Sequence, residues 1–228
     1  MARINIGKPR TEATLKQNLG KVIIFCEGKT EYNYLNHFAR ILNSGKNKFT
    51  DVRIELEEAE GNAQTVLNCA EEFFSKEENK PRFSHYQPYL IFDCDDPKDI
   101  QRVIKDMKES SNEYSLLLTN LLFELWLLMH FEEVTEPIRK GQIYKKLMGR
   151  LDLLEYKSKH KSSEGIIRKV VGDGQSVSKA IENAVKLEQM MHEKGYNLLD
   201  NIENMNPYTT MHKIMLPISD ELNRVKKP

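Results

Sequence analysis

The chain has 228 residues, of which 39% are hydrophobic and 30% charged, enough for a sizeable core and unlike collagen, mucin or disordered chains. Its 34 Lys and Arg balance 34 Asp and Glu. Attraction of nucleic acid by bulk positive charge is thereby excluded, and such a contact needs a local basic face or a bridging cation.

Residues 1–20 are rich in Arg, Lys, Thr and Asn and are expected to form an extended arm. Residues 21–26 are a near-continuous apolar run of strand length, the pattern of a strand buried on both faces. Glu27-Gly28-Lys29-Thr30 is a turn. A helix capped by Thr30 or its neighbours should follow to about Leu42, with Tyr34, Leu35, Phe38 and Ile41 on one face. Residues 51–57 alternate apolar and charged, a half-exposed strand. Gly61-Asn62 ends it, and a helix is expected over 63–76. A polar loop with Pro81 and His85 leads to a third strand over 88–92, which runs into Asp93-Cys94-Asp95-Asp96-Pro97. A helix over 98–110, a strand over 114–118 and an apolar helix over 120–131 complete the series.

The β-α-β-α-β-α-β-α order over 21–131 predicts an α/β fold: an open, mostly parallel sheet with helices on both faces. Beyond Ile138 no strong strand is apparent. Helices are expected over 138–150, 164–171, 175–195 and 209–223, with Pro217 kinking or splitting the last. Residues 132–228 therefore read as a helical addition packed on the sheet.

Cys26, Cys69 and Cys94 form no CxxC pair and no even framework, as suits free thiols in a reducing compartment. Residues 1–21 are polar and basic, so no signal peptide is expected. The apolar stretch 116–131 is interrupted by Asn120, Glu124 and His130 and is too short to span a bilayer. The expectation is a cytoplasmic protein with no membrane partner.

Ligands of such sheets bind beyond the carboxyl ends of the strands. That rule places Glu27 and the Asp93–Asp96 cluster on one rim. Asp93 and Asp95 leave a strand on a turn and can converge on a hard cation such as Mg²⁺. Glu27 adds a third carboxylate. Three carboxylates repel one another unless a divalent cation neutralises them. Asp96 can join the metal set or cap the next helix. Glu31 can join it or simply favour a helix N-terminus. Glu124 is a charge in an apolar helix and needs either the rim or a basic partner. His130, six residues on, points about 120° away from it on an ideal helix and reads as a hydrogen-bonded helix-end residue.

Gly28-Lys29-Thr30 is no P-loop. Ile23 stands where that motif needs its first glycine, and Glu27 would repel a phosphate. Residues 139–170 carry ten bases against three acids, and residues 51–80 nine acids against three bases. The neutral total thus hides an asymmetry. Lys157, Lys159 and Lys161 are the candidate phosphate contacts, with a solvated helix face as the alternative.

Four blocks in order resemble the RloB-like family, which also includes the abortive-infection protein AbiLii: Phe25-Cys26-Glu27-Gly28-Lys29-Thr30-Glu31, Phe92 to Asp96, Phe123-Glu124-Leu125-Trp126 through His130-Phe131, and Asn206-Pro207-Tyr208-Thr209-Thr210. The resemblance spans about 21–216. It implies a Toprim-like catalytic domain, related in plan to topoisomerase–primase and OLD-type nuclease domains, with Glu27, Asp93 and Asp95 at its carboxylate positions. It also implies a bacterial or archaeal protein encoded near restriction or phage-defence genes. The family's usual Ser-Asn-Pro-Cys-Phe-Glu is here Thr119-Asn120-Leu121-Leu122-Phe123-Glu124, which keeps Glu124 and changes the turn before it.

The expected function is a Mg²⁺- or Mn²⁺-dependent nuclease, or related phosphoryl-transfer enzyme, of antiphage defence. Glu27, Asp93 and Asp95 hold the cation, and Glu31, Asp96 or Glu124 support a second. His130 and His37 are weak candidates for a general base. The expected partners are nucleic acid (DNA or RNA), a protein of the same defence operon and further copies of the chain. The alternatives are a non-catalytic subunit that binds nucleic acid or protein, and a site for a nucleotide or small phosphoester.

Overall fold

The computed structural model describes residues 19–44, 51–161, 163–172 and 175–226. The expected N-terminal arm lies outside them up to residue 18. The chain runs β1 (Lys21–Cys26), α1 (Lys29–Leu42), β2 (Arg53–Glu58), α2 (Ala63–Ser75), α3 (Asn79–Phe83), β3 (Gln87–Asp93), α4 (Pro97–Glu109), β4 (Ser115–Asn120), α5 (Glu124–Met129), α6 (Lys140–Leu151), α7 (Ser158–Lys161), α8 (Glu164–Val171), α9 (Gln175–Glu193), β5 (Tyr208–Thr209) and α10 (His212–Lys226).

The five strands form one sheet in the order β2-β1-β3-β4-β5. Strands β1 to β4 are parallel, and β5 pairs antiparallel with β4. The fold is therefore α/β with a mostly parallel sheet, as the element order predicts. Successive residues of β1 point to opposite faces. Val22, Ile24 and Cys26 enter a core with Phe38, Trp126, Ile167, Met191 and Met215. Ile23 and Phe25 enter a second core with Val66, Leu67, Val103 and Ile104. Helices thus cover both faces: α1, α5, α6 and α8 to α10 on one side, α2 and α4 on the other. The first core runs from Leu19 to Ile218, so the C-terminal helices complete the sheet's packing.

Several expectations are corrected. The segment at 120 does not start a helix. Strand β4 continues to Asn120, the Asn120–Leu121 peptide is cis, and α5 begins only at Glu124. The cause is non-local. The Thr119 and Thr209 hydroxyls are hydrogen-bonded at 2.9 Å, and Asn120 Nδ2 donates to the Ile202 carbonyl at 3.0 Å. The region beyond Ile138 does hold a strand, the short β5. Helix α1 begins at Lys29 behind an extended Gly28, with no side-chain cap from Thr30. The 79–83 part of the expected polar loop is helix α3. Helix α10 runs unsplit through Pro217. That proline is the sixth residue of the helix, inside it, and costs the ladder one hydrogen bond.

Candidate active site

The carboxyl ends of β1, β3 and β4 lie side by side, because Cys26 pairs with Ile91 and Asp93 with Thr119. Immediately after β1, the Glu27 amide donates to the Ile91 carbonyl at 3.1 Å. The Glu27 carboxylate accepts from the Asp93 amide at 2.9 Å. One side chain thus ties the two strand ends together. Gly28 then turns the chain into α1. A Cβ there would stand 3.3 Å from the Glu31 carboxylate, so the glycine leaves that group room to fold back over the first turn.

A cleft of about 570 Å³ opens on this rim. Glu27, Glu31, Glu58, Glu60, Asp93 and Glu124 line it, with Lys29, Thr30 and Lys159. Glu31 and Glu124 are buried, at 5% and 2% exposure, while Glu27 and Asp93 are half-buried. Four strand ends therefore deliver carboxylates to one space: Glu27 and Glu31 after β1, Glu58 and Glu60 at the end of β2, Asp93 at the end of β3 and Glu124 after β4.

Two of them, Asp93 and Glu27, hold protons more tightly than an ordinary carboxylate. Burial pushes the Asp93 carboxyl well above the usual range, and Glu31, Glu27, Glu124 and Asp95 push it the same way. Burial also lifts Glu27 to about 7. The Asp93 amide opposes that rise, Asp95 adds to it and Lys140 reduces it. Tyr156 comes in from the α6–α7 connection with its hydroxyl beside Glu124. Burial first, then the Glu124 charge, raises its pKa above the ordinary tyrosine value.

The two other aspartates of the cluster stand elsewhere. Asp95 is exposed outside the cleft lining and forms an ion pair with Lys140, the first residue of α6. Asp96 accepts from the Lys98 amide at 2.9 Å and caps α4, with Pro97 in the first turn. Of the candidate phosphate contacts, Lys159 lines the cleft and lies 3.4 Å from Glu155. Lys157 pairs with Glu155 at 2.6 Å, outside the lining. The Lys161 side chain lies outside the described residues.

His130 is buried away from the cleft. It is 3.0 Å from the Tyr34 hydroxyl and 3.3 Å from the Ser176 hydroxyl, and burial holds its pKa down to about 3. His37, on α1, is also outside the lining. Sequence reasoning did not single out Lys140, Tyr156, Glu58 or Glu60 for the site. Lys140 and Tyr156 reach it through the packing of α6 and the segment after it, which no local pattern marks. Glu58 and Glu60 could have been found from the rim rule, since β2 ends there too.

The cleft offers a hard-oxygen donor set, and its mutual repulsion is what a divalent cation relieves. The residues present therefore fit such an ion. Among the described residues, no three of these side chains are arranged as they stand to hold one. Glu27 is drawn to the Asp93 amide and Asp95 to Lys140.

A model of the RloB-like protein family matches residues 22–217. The chain belongs to the RloB-like family. In this RloB-like chain, three of the four sequence blocks surround the cleft at the ends of β1, β3 and β4. The fourth, Asn206 to Thr210, forms β5 and its approaches. Asn206 exchanges two hydrogen bonds with the Ile138 backbone, at 3.1 and 3.3 Å, and the Thr210 hydroxyl accepts from the Leu118 amide at 2.8 Å. That block therefore holds the end of β4, and with it Glu124, in place. Neither the curated proteins nor the solved structures compared with this RloB-like chain yield a match. No helix among the described residues is long and apolar enough to cross a membrane.

Proposed function

We propose that the protein is a Mg²⁺- or Mn²⁺-dependent nuclease, with a Toprim-like arrangement of its α/β domain, acting in bacterial or archaeal antiphage defence. The observation that carries this reading is the delivery of Glu27, Glu31, Asp93 and Glu124 to one cleft bordered by Lys29 and Lys159. The defence setting rests on the family.

Glu27 and Asp93 would hold the cation, with Glu31 or Glu124 beside them and Asp95 once it leaves Lys140. A divalent ion bound there supplies an activated water and offsets charge on the departing oxygen of a phosphodiester. The chain's own residues do the rest. The Asp93 amide fixes one Glu27 oxygen, and Glu27 lines the cleft. Lys29 and Lys159 flank the opening, where a phosphate backbone is held by charge. In the metal-free site burial holds Glu27 near pKa 7, and a bound cation would keep it ionised as a ligand.

The test is cleavage of end-labelled single- and double-stranded DNA and RNA oligonucleotides in EDTA, Mg²⁺ and Mn²⁺. Strand scission should appear with either metal and vanish in EDTA and in Asp93→Asn. Binding without scission under every condition would replace this reading with a non-catalytic nucleic-acid-binding subunit.

A further inference from the structure

Lys140 opens α6, a helix twelve residues long, and its backbone position is fixed. The preceding residue, Arg139, donates its amide to the Gln142 side chain at 2.9 Å. The Lys140 ammonium makes an ion pair with the Asp95 carboxylate. Its charge also reaches Glu27 and Asp93. An amine from the helical part of the chain is therefore stationed at the acidic rim, on an exposed aspartate.

We infer that Lys140 is a resident counter-cation, which a divalent ion displaces from Asp95, and that this exchange sets the affinity of the rim for the ion. The inference rests on the divalent-cation reading of the cleft and adds to it the residue that competes with the metal. Two observations and one property of divalent ions carry it. The Lys140 and Asp95 side chains are 47% and 63% exposed, and a pair so solvated is weak and parts easily. A divalent ion brings twice the charge and prefers oxygen ligands, so it wins Asp95 when it arrives. Asp95 is two residues from Asp93, and its charge already acts on both Asp93 and Glu27. Freed from the lysine, it is placed to turn toward them. With no metal, the ammonium offsets part of the repulsion among the carboxylates and lowers the cost of keeping them together.

The experiment is Mn²⁺ titration of the metal-free full chain, read by the loss of the free-ion electron paramagnetic resonance signal. The proteins are wild type, Lys140→Gln, Lys140→Arg and Asp95→Asn/Lys140→Gln, the last compared with Asp95→Asn alone. Lys140→Gln removes the competing charge and should bind Mn²⁺ about two- to fivefold more tightly than wild type. The gap should narrow at high salt. Lys140→Arg keeps the charge and should match wild type. In the Asp95→Asn background the gain from Lys140→Gln should shrink. Equal or weaker binding by Lys140→Gln, with clear binding by wild type, overturns the exchange and leaves the metal site standing. A gain in Lys140→Arg equal to that in Lys140→Gln also overturns it, because the effect would then be one of shape and not of charge. No Mn²⁺ binding by any of these proteins removes the metal reading and this inference together.

Discussion

The Glu27 carboxylate and the Asp93 amide, 66 residues apart in the chain, meet at 2.9 Å. This bond fixes the ends of two neighbouring parallel strands to each other at the point where the carboxylates gather. It also means that an amide oxygen can stand in for the carboxylate without breaking the tie. Glu27→Gln is therefore a clean probe of charge.

That probe has a pH signature. Burial raises the Glu27 carboxyl from its ordinary 4.5 to about 7, so the folded protein holds the proton more tightly than the unfolded chain. The resulting stability is fully present below about pH 4.5 and is lost as pH rises to about 7. Its size is on the order of 3 kcal/mol or less. Urea denaturation in EDTA should show wild type weakening across this window. Glu27→Gln should lack that part of the slope, and an identical slope in both proteins would mean that Glu27 ionises freely.

His130 titrates in the opposite sense. Burial holds the imidazole down to about 3 from 6.5, so it stays neutral in the fold while the unfolded chain takes up a proton. Its contribution is present above about pH 6.5 and is lost as pH falls toward 3, by up to about 5 kcal/mol. His130→Gln should reduce the acid sensitivity of the unfolding midpoint between pH 7 and pH 4. Metal-dependent cleavage at pH 7, corrected for folded fraction, should be unchanged, because His130 lies outside the cleft.

Glu124 separates chemistry from stability. It is 2% exposed, lines the cleft and has the Tyr156 hydroxyl beside it. Glutamine keeps the shape and a hydrogen-bonding oxygen. Glu124→Gln should shift stability at pH 7 by no more than about 1 kcal/mol. Cleavage should fall by on the order of a hundredfold or more, the scale of losing a group that stabilises the reacting centre. Denaturation and cleavage measured on the same sample check both; a large loss of stability with normal cleavage per folded molecule would make Glu124 a structural residue.

The lysines of the α6–α8 region should not be equivalent. Lys159 lines the cleft, whereas Lys157 lies outside it and pairs with Glu155 at 2.6 Å. Lys159→Gln should weaken oligonucleotide binding and lower the slope of log affinity against log salt by about 0.7–0.9. Lys157→Gln should change the slope less. Fluorescence anisotropy across a salt series is the measurement, and equal slopes in all three proteins would leave a solvated face.

The parts of this fold that the sequence announces are those set by local chemistry. Strand β1 is apolar from Val22 onward and occupies 21–26 as expected. Helix α8 falls on the expected residues. Glu27 and Asp93 are legible because they follow buried strands directly, and strand ends must lie together in a parallel sheet. What stays hidden depends on distant pairing. Asn120 reads as a helix start until Ile202 claims its side chain, and Thr119, between the expected strand and helix, joins β4 and bonds Thr209. The spacing of Asp93 and Asp95 suggests convergence, but Lys140, 45 residues downstream, holds the second of them outside the cleft lining. Asp96 carries both signals, acidic cluster and residue before a helix-initiating proline, and the capping role is the one the geometry displays.

The two-residue strand β5 has a consequence out of proportion to its length. It covers the outer side of β4, and the opposite border of the sheet, β2, presents Glu55, Glu57 and Glu58. Negative side chains discourage a second chain from docking along that border. A protease cut before Tyr208 that released the C-terminal piece would uncover the hydrogen-bonding groups at the end of β4, where charge offers no such protection. Such a fragment should form intermolecular β-structure and precipitate. The expected service of β5 is thus to keep the border of β4 from pairing with a second chain.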